Sequence, residues 1–180
     1  MWAARTDTGW AFGDIAPEAL TTLEAVPLLL TTRDPRVVER LHPETYAEDA
    51  DEREWRRHAG EELRHLFASR EELVRGDLAR MRELPAGRGK FLLIPDAHVS
   101  GWLAALNAAR LALYALNDLE PEWMAGKERE RMSAQQRMAL ARIHLLAELQ
   151  TVLLGERTRE PHSSSADEDE DADESSNADE

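Results

Sequence analysis

Trp102-Leu-Ala-Ala-Leu-Asn107-Ala-Ala-Arg110-Leu-Ala-Leu-Tyr-Ala-Leu116 is apolar almost all the way round a helix, with only Asn107 and Arg110 breaking it. A helix without a polar face belongs at the centre of a domain. A guanidinium buried there is costly unless it is paired. The segment therefore predicts a central helix over about 96–117. Arg110 and Asn107 are expected to be structural buried polar residues, with Arg110 held by a carboxylate from elsewhere in the chain and Asn107 satisfying nearby backbone groups.

Working outward, residues 2–15 read as a hairpin. Trp2–Thr6 and Trp10–Phe12 flank the turn-rich Asp7-Thr8-Gly9. Pro17 and Glu18 suit the first turn of a helix, which Pro27 should kink or end. Asp34-Pro35 opens a short helix that Pro43 stops. From Glu48 on, Trp55, Ala59, Leu63, Leu66, Val74, Leu78 and Met81 recur at helical spacing. Ser69-Arg-Glu-Glu72 is a capping-box pattern inside that run, so the spacing allows one helix or two across 50–82. Pro85–Gly89 reads as a loop, and 91–94 as a third short strand that would pair with the hairpin. Glu120–Glu130 is a connector with a helical turn around Trp123, an aromatic expected to be exposed. Ser133-Ala-Gln-Gln136 is a second capping box. It opens a final helix with Ile143, Leu146, Leu149, Val152 and Leu153 inward and Gly155 at its end. The fold class is thus mainly α, a helical bundle around a buried central helix with a small N-terminal β-hairpin.

The 180 residues carry 22 basic and 36 acidic side chains, a formal net charge of −14. Nine of the acids lie in 163–180, which has no basic and no large apolar residue; 1–162 alone carries only −5. The expected organisation is a single helical domain over 1–156 and a disordered acidic tail over 157–180, since such a composition cannot offset the entropy of ordering. The tail reads either as a solubilising appendage or as a segment that occupies a basic surface. There is no cysteine, which excludes disulfides, thiol switches and cysteine nucleophiles. The opening residues show no apolar signal-peptide core. No run approaches about 20 uninterrupted apolar residues. A cytoplasmic location, no membrane association and no direct nucleic-acid binding are the expectations, the last because a net-negative chain neutralises phosphates poorly.

Chemistry-bearing patterns are sparse. His58, Glu62 and His65 can share a helix face, and Glu62-x-x-His65 and Glu39-x-x-His42 match the spacing used in di-iron bundles. Two further glutamates from other helices would be needed, and the central helix has no carboxylate in its middle. No nucleophile elbow or phosphate loop is present. Arg53, Arg56, Arg57 and Arg64 alternate with Glu54, Glu61 and Glu62, which predicts a salt-bridged exposed surface. No catalytic residue, cofactor or metal is expected. A metal-dependent helical enzyme using His58, Glu62 and His65 is the alternative.

Asp34-Pro35 through Arg40-Leu41-x-Pro43-x-x-Tyr46, Glu54-Trp-Arg-Arg57, and Trp102-Leu-x-x-Leu-Asn107-x-x-Arg110-Leu-Ala-Leu113 together resemble a bacterial family, domain of unknown function family 2017. The Trp2 and Gly9-to-Pro17 opening is also similar, so the likeness spans most of residues 2–154. That family includes AosR-type oxidative-stress regulators, and its genes often lie beside that of the ClpS protease adaptor. The resemblance implies a helical domain with a non-enzymatic regulatory or partner-binding role, acting on another protein of the transcription machinery or of a Clp-type degradation system. It supplies no catalytic residues; the place of Asp34 and Glu54 in the matching segments implies one of them as the acid that holds Arg110. Two departures stand out: the redox-sensing members use a cysteine pair that this chain lacks, and the position after Leu113, commonly Gly in the family, is Tyr114.

Overall fold

The computed structural model describes residues 1–84, 89–127 and 129–155. The acidic tail and most of the loop at 85–89 lie outside the described residues. Strands β1 (Trp2–Thr6) and β2 (Gly9–Ile15) form the hairpin, followed by helices α1 (Pro17–Leu30), α2 (Pro35–Leu41) and α3 (Asp49–Ala79). Short strands β3 (Arg82–Glu83) and β4 (Lys90–Pro95) lead into α4 (Asp96–Leu116). Helix α5 (Pro121–Met124), a 3-10 turn at Arg129–Arg131 and α6 (Ala134–Leu153) complete the domain.

The third strand expected at 91–94 is present as β4, paired antiparallel to the hairpin with Trp10 opposite Ile94 and Phe12 opposite Leu92. The sheet order is β1-β2-β4-β3; the two-residue β3 had no sequence signal. Gly13 is required at its position because Trp2 lies across it: a Cβ there would come within 2.1 Å of the indole.

Helix α4 is the centre, as its composition dictates. It touches α1, α2, α3 and α6, and Trp102, Ala105, Leu106, Ala108, Ala109, Ala112 and Leu113 are buried. By length and composition α4 could cross a bilayer, but here those residues form the core with Phe12, Leu23, Leu92, Ile94, Leu146 and Leu149. Pro95 occupies the N-cap; Asp96 sits in the first turn and pairs with Arg5 at 2.5 Å.

The end signals of α2 and α6 work as their chemistry predicts. Asp34 accepts from the Arg36 amide to cap α2, and Ser133 and Gln136 form both halves of the capping box of α6. Gly155 ends that helix with φ of 80°. Two open readings are narrowed and one expectation is corrected. Helix α1 runs on past Pro27, which is buried, for one further turn; the hydroxyl of Thr31 donates to the Pro27 carbonyl at 3.2 Å and helps close the end. Helix α3 is one uninterrupted helix of 31 residues, because Ser69 points its hydroxyl back to the Leu66 carbonyl instead of capping. Trp123 is 6% exposed and joins the core.

Candidate partner-binding groove

Helix α3 has two unlike parts. Its C-terminal third packs down through Glu71, Val74 and Asp77. Between Arg53 and Arg70 no residue is buried. This bare stretch faces the end of α1, the loop after it, and α2. The space between them is a groove of about 480 Å³ lined by Leu30, Arg33, Val38 and His42 on one side and by Trp55, Arg56, Leu63, Arg64 and Phe67 on the other. Its floor is apolar, and no Asp or Glu lines it. Val38 is 42% exposed and Leu66, on the next turn of α3, is 41% exposed. These are large apolar groups that the domain itself does not cover.

A buried carboxylate holds the near end of α3 to the segment after α2. Glu52 accepts from the amides of Thr45 at 2.9 Å and Tyr46 at 3.0 Å, and from Arg56 Nε at 2.5 Å. The backbone donors, Tyr46 first, with help from Arg56, hold its carboxyl below the usual glutamate range. Arg56 also donates to the His42 carbonyl at 3.4 Å. His42 meets the Phe67 ring edge-on at a centroid distance of 5.0 Å. Its partial burial, together with the Arg56 charge, pushes its pKa below the ordinary histidine value, which favours the neutral ring.

The arginines are not tied up as their spacing suggested. Arg56 pairs with Glu52 and with none of the interleaved glutamates. Arg64 donates to the Gly60 carbonyl. Among the described residues Arg53, Arg57 and Arg64 form no ion pair, so this flank of α3 keeps its positive charge toward solvent.

The metal candidates are elsewhere. His58, Glu62 and His65 are all exposed; at 100° per residue His58 and His65 lie on the side of α3 turned away from the groove. Among the described residues no group of three or more His, Cys, Asp or Glu side chains is placed to hold a metal ion. Glu39 and His42 both border a second hollow beside α2, and His42 borders the groove as well, but they belong to no such metal-holding group.

The two polar residues of the central helix are also placed differently. Asn107 is exposed, which corrects its assignment as a buried polar residue. Arg110 is half-buried, and its partner is neutral: Nη1 donates to Gln150 Oε1 at 2.6 Å, while Gln150 Nε2 donates to the Leu103 carbonyl at 3.0 Å. Asp34 is instead engaged by Arg36, and Glu54 is exposed. Tyr114 faces α2, with the Arg40 guanidinium 5.5 Å from its ring centroid, so the bulk at this position packs against the helix that borders the groove.

The buried ionic centre of the domain is Asp77, which had no sequence signal. Its carboxylate accepts from Trp102 Nε1 at 2.8 Å, contacts His98 Nδ1 at 2.9 Å and pairs with Arg80 at 2.5 Å. It joins α3 to α4 in the core, with all three partners inside the domain, so it reads as structural.

A family model described as a domain of unknown function, DUF2017, matches residues 7–156. No curated protein and no solved structure matches the chain.

Proposed function

The chain belongs to the DUF2017 family, and from that premise we propose that it is a non-enzymatic regulatory protein of the cytoplasm that works by binding another protein in the groove between α2 and α3. The observation that carries the reading is the bare stretch of α3. Eighteen consecutive helical residues, 53–70, leave Trp55, Leu63, Leu66 and Phe67 uncovered or half-covered. Apolar surface that a domain leaves open beside charged groups marks an interaction site. Partners of the transcription machinery or of Clp-type proteolysis are the ones the resemblance favours, since the family includes AosR-type regulators and its genes often lie beside that of the ClpS adaptor.

A photo-crosslinking residue placed at Leu63 in the native organism tests this. Capture of one defined protein of either system from position 63, and not from position 65 on the opposite face, is the expected result. The same set of captured proteins from both positions would overturn the groove as the binding site.

A further inference from the structure

We propose that the occupant of the groove is an acidic amphipathic helix of another protein, about 14 residues long. This rests on the reading of the groove as a partner site and names the chemistry of what fills it. Three observations lead there. The first is charge. In a chain with 36 acidic and 22 basic residues, the groove lining holds Arg33, Arg56 and Arg64 and no acid. Arg64 is bonded only to a carbonyl of its own helix, and Arg33 has no carboxylate partner among the described residues. Uncommitted guanidinia are suited to bidentate binding of carboxylates.

The second observation is the floor. Leu30, Val38, Leu63 and Phe67 are aliphatic or ring surface, which an apolar helix stripe at i, i+3, i+4 and i+7 fills. The third is length. The α3 wall runs from Trp55 to Ala68, about 20 Å at 1.5 Å per residue, the length of a 14-residue helix.

The other occupants fit less well. The chain's own segment 163–180 has the charge but only Ser, Ala, Asn, Asp and Glu, with nothing to fill the floor. A nucleic acid would meet a floor of mostly aliphatic side chains and a protein of net charge −14.

The test uses the full chain and three fluorescent 14-residue helical peptides with one shared Leu/Ile stripe and flanks of Glu, Gln or Lys. Anisotropy should show the Glu peptide binding at least tenfold more tightly than the Gln peptide, with no saturable binding of the Lys peptide. Leu63→Glu should abolish binding. The double variant Arg33→Glu/Arg64→Glu, both at exposed positions, should reverse the order in favour of Lys. Equal affinity for the Glu and Gln peptides overturns the acidic occupant and leaves the groove reading standing. Binding that survives Leu63→Glu overturns both, and absence of binding by all three peptides overturns the proposal. Displacement of the Glu peptide by micromolar synthetic 163–180 would make the chain's own tail the occupant. Displacement by a 15-residue oligothymidylate would make it a single-stranded nucleic acid. A protein dimer that the Glu peptide dissociates would make it a second copy. Each of these three results overturns the proposal.

Discussion

The indole of Trp102 donates its Nε1 hydrogen to Oδ2 of Asp77 at 2.8 Å. Trp102 is fully buried and Asp77 is 1% exposed, so the bond joins the C-terminal part of α3 to the first half of α4 where water does not reach. A carboxylate in such a place is tolerated only because its oxygens are satisfied. Trp102, His98 and Arg80 together meet that need.

Asp77→Ala should therefore be among the most damaging single changes in the domain. Orphaning the Trp102 N–H alone costs about 1–3 kcal/mol, and the cavity adds to it. Arg80→Ala should cost about 1 kcal/mol or less, because the Arg80 side chain is 67% exposed. Urea unfolding of the two variants checks the contrast. Equal losses would show that the Arg80 pair, and not the buried Trp102 bond, carries the stabilisation.

Arg110 calls for a different outcome from that of a buried ion pair. Its partner Gln150 is uncharged, and its buried Nε has no hydrogen-bond partner among the described residues. Removing one side of a buried ion pair costs about 3–5 kcal/mol, but no opposite charge is stranded here. Arg110→Met keeps the apolar stem and should change stability by about 1 kcal/mol or less, near the net value of one hydrogen bond. A loss above about 3 kcal/mol in thermal or urea unfolding would mean the guanidinium is paired with a charge.

Glu52 sets an acid limit on the groove. Its folded-state pKa lies below the ordinary value of 4.5, so the unfolded chain binds protons more readily in that range. The stability Glu52 contributes is complete above about pH 4.5 and is lost as pH falls through the depressed value. The amides of Thr45 and Tyr46 lose their acceptor in the same step. Hydrogen exchange at these two amides should accelerate on acidification relative to core amides of α4, and Glu52→Gln should flatten that response. Unchanged acid sensitivity in Glu52→Gln would assign it to another group.

Much of the fold could be read from local residue chemistry. The hairpin around Asp7-Thr8-Gly9, the first-turn prolines at 17 and 35, the capping box at Ser133 and the terminal Gly155 each satisfy or terminate backbone hydrogen bonding within a few residues. Local patterns left the outcome open, or misled, where a distant packing surface decides it. Ser69 has the pattern of a cap, yet α3 continues because Glu71, Val74 and Asp77 on its next turn are buried against the rest of the domain. Pro27 is accommodated because Val26, Pro27 and Leu30 are held in the interior. Trp123 is in a connector by sequence and in the core by packing.

The candidate groove was less legible than the fold. Arg56, Arg64 and Trp55 were recognisable as a basic and aromatic set on one helix, but helical spacing alone favoured pairing with the adjacent glutamates. Only the approach of α2 and the α1 end shows which of those side chains meet Val38 and His42. The sequence by itself determined that a cysteine-free, mainly helical domain is built on the apolar segment Trp102–Leu116, because a helix with no polar face is stable in water only when the rest of the chain covers it. The tertiary structure alone decided that Asp77 takes the Trp102 donor, that Arg110 meets Gln150, and that no residue from 53 to 70 is buried. Those outcomes depend on contacts between elements dozens of residues apart, and local periodicity carries no information about which partner such a side chain meets.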